Sequence, residues 1–397
     1  MADVCRAGDG AGQATVPARV WVERLQLTDF RNYAQLTLTV GPSPVVLAGA
    51  NGSGKTNLLE ALSLLSPGRG LRGTHYTELA RIGTSRWAVA ARLNVPSGPI
   101  EVGTGVASER DGGGPHGRRV RLNGENGTAA AALAAVGDVL WLTPTMDGLF
   151  GGPASDRRRF LDRLVASFDP QYRAQLARFG RAMQHRNRLL FEEVREVARF
   201  EGLEQLMAET GVAIAASRCS AVAELTAAIT LRRDAAADAS FPWAALRLAG
   251  TLEDALARRA AIDVEDGYLA GLARGRERDR AAGRTLEGPH RSDLLIGHGP
   301  KGLPAGSCST GEQKALLTGL VLAHADLVAR RGRAAPILLL DEVTAHLDAA
   351  RRAGLFAELL ALGSQAWMSG SDPEAFSAIA GRAQMLRVEG GRIAAAG

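Results

Sequence analysis

Short apolar runs alternate with polar residues near the start of the chain, whereas apolar residues in the middle of the chain are spaced more widely. Alternation with a period of two predicts strands, and a spacing of three to four predicts helices. Four early runs have the strand pattern and many β-branched residues, namely VWVERLQL at 20–27, AQLTLTV at 34–40, WAVAARLNV at 87–95 and RRVRLNG at 118–124. We therefore expect a largely antiparallel β region in this part of the chain.

The segment 155–282 lacks strand-like runs and predicts long helices instead. Residues 171–196 and 205–231 are rich in alanine, leucine and arginine at helical spacing, with an interruption at Phe241 and Pro242. Apolar heptads do not continue long enough for an extended coiled coil. We expect a helical arm that is inserted into one α/β domain.

The chain is long enough for more than one hydrophobic core, with 397 residues of which 46% are hydrophobic. We predict an α/β fold in which an antiparallel β flank and the helical arm accompany a central α/β head. The predicted divisions are an Ala- and Gly-rich disordered prefix at 1–19, the first part of the head at 20–150, the arm at 151–285 and the second part of the head at 286–397.

A glycine-rich loop, GANGSGKT at 49–56, lies between a β-branched run at 44–48 and a helical leucine pattern at 57–65. It fits G-x-x-x-x-G-K-[ST], in which backbone N–H groups surround phosphate oxygens at a helix N-terminus. Only three of the 47 basic residues are lysines, so a lysine in this loop indicates a need for a compact charge. We predict that ATP is bound by Gly49, Ala50, Asn51, Gly52, Ser53, Gly54, Lys55 and Thr56.

A second motif follows the predicted arm. Residues 309–313 read STGEQ and precede an apolar helical run at 315–328, and an aliphatic run at 337–340 ends in Asp341 and Glu342. A serine before such a helix predicts an anion-binding N-terminus. A buried strand that ends in two acids predicts a metal ligand and a base that activates water. We therefore assign Mg²⁺ to Thr56 and Asp341 and the catalytic base to Glu342.

Taken in order, these motifs resemble the ABC-type ATPase heads and, within them, the bacterial RecF family, which is related to the SMC heads. The matching stretches are LQLTDFRNY at 25–33, GANGSGKTNLLEAL at 49–62, RRRFLD at 157–162, GPHRSDL at 288–294, CSTGEQKALL at 308–317 and LLLDEVTAHLD at 338–348. The resemblance implies a D-loop at Asp348 and a signature motif at Ser309, Gly311, Glu312 and Gln313.

The resemblance also implies partners. It implies an ATP-dependent homodimer in which the signature of one copy completes the nucleotide site of the other. It further implies binding to double-stranded and gapped DNA, and cooperation with RecO and RecR in loading RecA. Ala345 replaces the usual D-loop serine, no glutamine follows 139–142, and no switch histidine occurs at 367–372. These departures favour slow hydrolysis that acts as a switch.

Positive charge is concentrated at the start of the predicted arm. The whole chain has a formal net charge of +5, and residues 151–200 contain eleven arginines and six acidic residues. Such a cluster fits sequence-tolerant contacts with DNA phosphates. The DNA-binding candidates are Arg157, Arg158, Arg159 and Arg163, and further arginines expected on helix surfaces are Arg173, Arg178, Arg181, Arg186 and Arg188. A solvated helix face is the alternative for any single arginine.

Two other classes of protein remain open. An ATPase subunit of a membrane transporter would have a shorter segment between the two motifs. An interaction protein with a degenerate nucleotide site would not need Lys55, Asp341 and Glu342. His290 in GPHRSDL fits either a link between arm and head or simple packing.

Composition bears on the cellular compartment. We see no apolar run of bilayer length and expect no membrane association. Cys5, Cys219 and Cys308 have neither disulfide nor metal-ligand spacing, which favours a reducing cytoplasm.

Overall fold

The computed structural model describes residues 19–106, 117–126, 138–235, 241–331 and 334–395. Of the predicted prefix, all but Arg19 lies outside the described residues. The strands are β1 (Trp21–Phe30), β2 (Tyr33–Thr39), β3 (Val45–Ala48), β4 (Trp87–Val95), β5 (Gly98–Val106), β6 (Arg119–Leu122), β7 (Glu125–Asn126), β8 (Val139–Leu142), β9 (Ala244–Ala249), β10 (Asp293–His298), β11 (Leu303–Pro304), β12 (Ile337–Leu340), β13 (Ala366–Gly370), β14 (Gln384–Glu389) and β15 (Arg392–Ala395). The α-helices are α1 (Lys55–Ser63), α2 (Ala154–Val165), α3 (Tyr172–Phe191), α4 (Ala198–Ala235), α5 (Thr251–Leu256), α6 (Ala261–Arg274), α7 (Arg276–Ala281), α8 (Thr310–Arg330) and α9 (Ala349–Leu362).

A mostly parallel sheet forms the centre of the molecule, with the strand order β15-β14-β3-β13-β12-β8. The neighbours from β14 to β8 are parallel, and β15 pairs with β14 in the antiparallel direction. Strands from before and after the long helices therefore share one sheet. The strand before the glycine-rich loop, β3, is separated from the strand before Asp341, β12, only by β13.

Both faces of this sheet are buried, as expected for parallel strands. Alternate residues along each strand enter different cores because successive side chains point to opposite faces. Val46 and Leu338 belong to a core shared with the long helices. Val45, Leu339 and Trp367 belong to a second core. The sheet thus separates a helical layer from a β layer.

The β layer is an antiparallel sheet with the order β2-β1-β4-β5-β6-β7. Its inner side chains, such as Leu25 and Val89, share the second core with Leu58 and Leu62 of α1. The four strand predictions made from alternating runs are confirmed. The sequence pattern did not identify β5, whose glycines at 103 and 105 carry no side chain that would mark an alternation.

The helical layer contains one strand that the sequence pattern did not predict. Strand β9 lies within the segment expected to lack strands, and it pairs antiparallel with β10 in a sheet of order β11-β10-β9. Its sequence, AALRLA, has the same composition as the surrounding helices. Pairing with β10, which contributes the buried Leu294 and Ile296, decides its conformation rather than local propensity.

Helix α4 corrects the expectation that no segment reaches bilayer length. Residues 198–234 have a stretch with a mean hydropathy of 1.4, of which 50% is buried inside the protein. The helix packs against α3, α6 and α8, and it carries the buried Glu204 and Arg218. Length and composition alone do not distinguish such a core helix from a membrane span.

Arg186 on α3 is fully buried, which corrects its assignment to a helix surface. Its Nε donates to Glu204 at 3.0 Å and its Nη1 to Asp279 at 2.7 Å, while Nη2 donates to the carbonyl oxygen of Leu272 at 2.9 Å. A buried charge persists only when it is paired and hydrogen-bonded. Arg186 therefore joins α3, α4, α6 and α7 and is not available to a phosphate backbone.

Candidate nucleotide site

Three neighbouring strands of the central sheet end beside one another at the candidate site. Strand β3 leads into the glycine-rich loop, β12 leads into Asp341, and Ser369 lies near the end of β13. The register pairs Ala48 with Gly370 and Leu340 with Met368. The carboxyl ends of parallel strands open onto one edge of a sheet, where α/β proteins bind ligands. The sheet thus brings together motifs that are far apart in sequence.

The loop at 49–54 makes a tight turn into α1, and Gly54 is required there by both conformation and space. Its φ is +118°, and a Cβ atom would lie 2.6 Å from Asn32 Nδ2 and 2.8 Å from Tyr33 Oη. Ser53 Oγ in the same loop is buried and has no hydrogen-bond partner within the described part of the chain. An orphaned hydroxyl beside a helix N-terminus is a feature that a phosphate oxygen would satisfy.

The turn between β1 and β2 holds this loop in place. Asn32 Nδ2 donates to the carbonyl of Ser53 at 3.3 Å, and Tyr33 Oη donates to the carbonyl of Gly54 at 3.1 Å. Asn57 of α1 donates to Asn32 Oδ1 at 2.8 Å. Sequence reasoning assigned no role to Asn32 or Tyr33. The stretch LQLTDFRNY entered only as part of a resemblance, and its contact with the loop needs the fold.

Lys55 begins α1 and is only 4% exposed. Its Nζ donates to the carbonyl oxygens of Gly49 at 2.6 Å and Ala50 at 3.1 Å. It also lies 3.4 Å from Oε1 of Glu342. One ammonium group therefore contacts both the loop that would hold the phosphates and the predicted catalytic carboxylate.

Thr56 and Asp341, the predicted metal ligands, are in direct contact. Thr56 Oγ1 lies 3.0 Å from each carboxylate oxygen of Asp341. Ser369, which is fully buried, donates from Oγ to Asp341 Oδ1 at 2.7 Å. Sequence reasoning missed Ser369, because a serine near the end of a buried strand has no distinctive pattern. The structure shows that it orients the Asp341 carboxylate.

Glu342 has a backbone conformation that is uncommon for a residue with a side chain. Its φ is +48°, in the left-handed region. The backbone N–H donates to Ser369 Oγ at 2.8 Å, and the carbonyl oxygen accepts from Lys314 Nζ at 2.7 Å. Strained residues of this kind persist only where their surroundings fix them, often at functional sites. The carboxylate is thereby directed toward Lys55.

The signature residues form the first turn of α8. Ser309 is the N-cap and makes a capping box with Glu312: each side chain bonds the backbone N–H of the other residue. Lys301 Nζ lies 2.6 Å from Glu312 Oε1. The Lys301 ammonium and the bonds from Ser309 lower the pKa of Glu312 to about 2. Glu312 thus anchors the turn as a carboxylate.

The other predicted residues of this region also have structural partners. Gln313 Nε2 donates to the carbonyl of Cys308 at 2.8 Å. A Cβ atom on Gly311 would lie 3.3 Å from the carbonyl oxygen of His346. Asp348 is the N-cap of α9 and accepts from the N–H of Arg351 at 2.8 Å. The predicted roles of these residues toward a second copy stay predictions.

The four DNA-binding candidates on α2 differ in their availability. Arg157 forms a bidentate ion pair with Asp293, with both N–O distances 2.8 Å. Arg163 stacks over Trp141 at 4.6 Å, and burial lowers its pKa to about 10. Arg158 donates to the carbonyl of Ser292 at 2.7 Å. Arg159 has a side chain that is 78% exposed and pairs with Asp156. Arg157 and Arg163 are therefore structural residues, and Arg159 is the accessible one of the four.

His290 packs within the helical layer. Its Nε2 lies 3.0 Å from the carbonyl oxygen of Thr285, and its ring is 5.8 Å from that of Phe179. Burial lowers its pKa. These contacts agree with the packing interpretation of GPHRSDL and connect this segment to α3.

A cleft of about 860 Å³ adjoins the glycine-rich loop. Its wall includes residues 48–53, Ser371, Met385 and Arg387. The cleft therefore lies directly beside the loop that contains the orphaned Ser53 hydroxyl.

This fold and site define a P-loop head of the ABC type. The family model for the RecF/RecN/SMC N-terminal domain matches residues 21–368. The chain is 52% identical over 379 residues to the DNA replication and repair protein RecF of Mesorhizobium japonicum, covering 95% of this chain and 98% of that protein. It is 50% identical to RecF of Rhizobium meliloti, covering 95% and 100%. The chain belongs to the RecF family of DNA replication and repair proteins.

Solved structures agree on the fold. A structure of the recombination mediator protein RecF-ATPrS in the RecFOR pathway matches with a TM-score of 0.82 at 20% identity, over 96% of this chain and 99% of that one. The Smc head domain of Pyrococcus furiosus, bound to the C-terminal domain of ScpA, matches with a TM-score of 0.54 at 17% identity, over 95% and 96%. The predicted fold class and family resemblance are confirmed.

Proposed function

We propose that this chain is an ATP-dependent DNA-binding protein of recombinational repair and replication. It dimerises on binding ATP, closes on double-stranded or gapped DNA, and reopens after slow hydrolysis. The observation that carries the proposal is the contact between Thr56 and Asp341, with Lys55 and Glu342 beside it. Four residues from two distant motifs lie together, and their types are those that phosphoryl-transfer sites use, which supports the proposal.

The chain's own residues supply phosphate binding and base chemistry. The Lys55 ammonium neutralises charge on the phosphates, and the backbone N–H groups of the loop and α1 bind their oxygens. Glu342 accepts a proton from the attacking water. Lys55 Nζ lies 3.4 Å from the Glu342 carboxylate. When ATP is bound, the same ammonium would therefore contact both a phosphate and the Glu342 carboxylate. We infer that this contact aligns the base with the phosphate.

The same site suits Mg²⁺. Thr56 and Asp341 offer a hydroxyl and a carboxylate, the hard oxygen ligands that Mg²⁺ prefers. No group of three or more His, Cys, Asp or Glu residues able to hold a metal is found among the residues that the structure describes. We propose that phosphate oxygens and water complete the coordination. Bound Mg²⁺ would neutralise charge on the phosphates.

The exposure of the signature turn supports the proposed homodimer. Ser309 is exposed, and the hydrogen bonds described for its side chain stay within its own turn. A helix N-terminus with a free face is suited to an anion. We propose that it binds the terminal phosphate held by a second copy, so that ATP joins two chains around a two-fold axis.

The RecF name of the relatives supports the DNA partner and the compartment. We propose contacts with gapped and double-stranded DNA that include Arg159, cooperation with RecO and RecR, and a cytoplasmic location. The solved structure named for the RecFOR pathway supports this setting. Membership of the RecF family removes the support for a transporter subunit.

DNA binding is tested by fluorescence anisotropy with a gapped duplex at two salt concentrations, with ATP, with ADP and without nucleotide. We expect tight binding only with ATP, weaker binding at higher salt, and loss of binding in Lys55→Met. Arg159→Ala should weaken binding and its salt dependence, whereas Arg157→Ala should lower thermal stability. Equal DNA binding with ATP, with ADP and without nucleotide would contradict the proposed ATP-dependent closure on DNA.

ATP turnover separates this proposal from an interaction protein with a degenerate site. Phosphate release is measured for the wild type and for Lys55→Met. A turnover that is slow but lost in Lys55→Met supports the proposal. Equal background rates in both proteins would favour nucleotide binding without turnover.

A further inference from the structure

The chain has three lysines, and all three contact the elements of the nucleotide site. Lys55 lies in the glycine-rich loop, Lys301 pairs with Glu312 of the signature turn, and Lys314 bonds the backbone of Glu342. Everywhere else the chain uses arginine as its cation. A lysine presents a compact ammonium on a flexible stem, whereas arginine carries a larger planar guanidinium. The family motifs give Lys55 a role, but Lys314 has none assigned.

Lys314 lies in the second turn of α8 and points to the end of β12. It is buried, and its Nζ donates to the carbonyl oxygen of Glu342 at 2.7 Å. Burial lowers its pKa, and the carboxylates of Asp147, Glu342 and Asp341 oppose that change. Lys314, Asp147 and Asp341 line one small cavity near the end of β12.

The peptide groups of Glu342 are fixed from two sides. Ser369 of β13 accepts the N–H of Glu342, and Lys314 of α8 donates to its carbonyl oxygen. The φ of +48° at Glu342 is costly for a residue with a side chain. Since both bonds hold that conformation, losing the Lys314 bond would let the backbone relax and turn the carboxylate away from Lys55.

The start of α8 makes a second contact with the segment that follows β12, in addition to the bond from Lys314 to Glu342. Gly311 packs so closely on the carbonyl oxygen of His346 that a Cβ atom would lie 3.3 Å from it. Helix α8 therefore meets the segment 342–346 at its first and second turns, and Ser309 caps the same helix. A displacement of Ser309 along the helix axis would move Lys314 with it, because a helix transmits such a shift as a rigid element.

We propose that Lys314 is a positioning residue that links the signature turn to the catalytic glutamate of the same chain. The inference rests on the proposed function, in which Ser309 binds the nucleotide of a second copy. Lys314 then makes the orientation of Glu342 in one site depend on occupancy of the other site. The two nucleotide sites of a dimer are coupled through α8.

The first experiment compares Lys314→Met with Thr318→Val. Both changes alter the same buried side of α8, since Thr318 Oγ1 bonds the carbonyl of Lys314, but only the first removes the ammonium. Affinity is measured with a fluorescent ATP analogue, turnover by phosphate release at saturating ATP, and folding by thermal unfolding. We expect Lys314→Met to lower kcat roughly 10- to 100-fold, as small misplacements of catalytic groups do. Nucleotide affinity should change little, and Thr318→Val should retain both properties.

Lys314→Arg provides a second variant that keeps a charged donor. We expect it to fold and to recover part of the lost kcat. A Lys314→Met protein with wild-type kcat would overturn the inference, as would equal losses of affinity and kcat. If Lys314→Met does not fold, wild-type kcat in Lys314→Arg and Lys314→Gln together would overturn it. Equal phosphate release by the wild type and Glu342→Gln would instead overturn the proposed function and this inference together.

Mixed dimers test the coupling itself. One chain carries Lys55→Met, and its partner is either wild type or Lys314→Met. ATP is held at a concentration that fills the unchanged site and leaves the weakened Lys55→Met site mostly empty. With a wild-type partner, we expect hydrolysis per occupied site to fall below that of the wild-type dimer. With a Lys314→Met partner, the rate should be low and should equal the per-site rate of the Lys314→Met homodimer. A wild-type partner that keeps its full rate beside an empty site would overturn the coupling.

Discussion

At the glycine-rich loop, Lys55 and Asp341 are buried, and both are hydrogen-bonded to other elements of the chain. At the start of α8, Ser309 is exposed, and its side chain bonds only Glu312 of its own turn among the described residues. The first half of the site is preorganised by the packing of the central sheet. The second half is a surface turn whose partners are its own capping box and Lys301.

This difference indicates what each half is for. A buried cluster of charged groups is stable only if the chain supplies its partners, which it does around Asp341. An exposed helix N-terminus needs no partner to fold and presents its N–H groups to whatever approaches. We therefore expect the loop half to determine nucleotide binding and turnover within a chain, and the signature half to determine association between chains.

The largest expected effect is on hydrolysis. Glu342→Gln should lower phosphate release about 10²- to 10⁴-fold, the usual contribution of a general base, because an amide does not accept the proton. ATP binding should persist, so sedimentation with excess ATP should show a dimer. A monomer under these conditions would contradict the assignment of the signature turn to a second copy.

Loss of the loop ammonium should weaken nucleotide binding. Lys55→Met removes a charged donor, which costs about 1.5–3 kcal/mol, or roughly a 10- to 150-fold loss of affinity for a fluorescent ATP analogue. Lys301→Met is the matched variant in the signature half. It should reduce ATP-dependent dimerisation and leave nucleotide binding by the single chain near the wild-type value. Weaker nucleotide binding in Lys301→Met, with normal binding in Lys55→Met, would contradict the proposed division of roles between the two halves of the site.

Ser309 is both a helix cap and a predicted phosphate ligand, and two variants separate these roles. Ser309→Ala should lower the free energy of unfolding by about 0.5–2 kcal/mol through loss of the cap. Ser309→Asn keeps a good cap, so its stability should stay near wild type while ATP-dependent dimerisation falls. Denaturant unfolding and sedimentation measure the two effects. Normal dimerisation by Ser309→Asn would show that the hydroxyl serves only as a cap.

The smallest effect at neutral pH concerns His324, which anchors the body of α8. Burial lowers the pKa of its imidazole from the usual 6.5 to about 3, and Nε2 lies 2.8 Å from Ser167 Oγ. In the unfolded chain the His324 imidazole binds a proton below about pH 6.5. In the folded chain it binds that proton only below about pH 3. Stability is therefore lost as pH falls through this range. His324→Gln should flatten this pH dependence in urea denaturation, and an unchanged slope would count against this cause.

Much of the site could be predicted from the sequence because its chemistry is local. The loop containing Lys55 and Thr56, and the strand that ends in Asp341 and Glu342, are marked by residue type, spacing and flanking apolar runs. Each motif is a short contiguous segment whose residues determine its own backbone conformation, so the motif can be recognised in the sequence. The roles of these residues in turnover and metal binding stay predictions that the experiments above test.

Sequence patterns were less informative where one residue type has several uses. Arginine on α2 and α3 was expected to face DNA, yet Arg157, Arg163 and Arg186 are held by acids, rings or carbonyls inside the fold. Helical spacing shows which residues share a face, but not which face meets another helix. Strand β9 was missed for a similar reason, since its partner β10 lies more than forty residues away.

The sequence alone determined the fold class, the family, and the two motifs of a nucleotide site, since local spacing and residue type record these features. Only the tertiary structure decided how the site is held. Asn32 and Tyr33 support the loop, Ser369 orients Asp341, and Lys314 fixes Glu342. These contacts join residues brought together by sheet register and helix packing, which depend on the whole chain at once, so no local pattern records them.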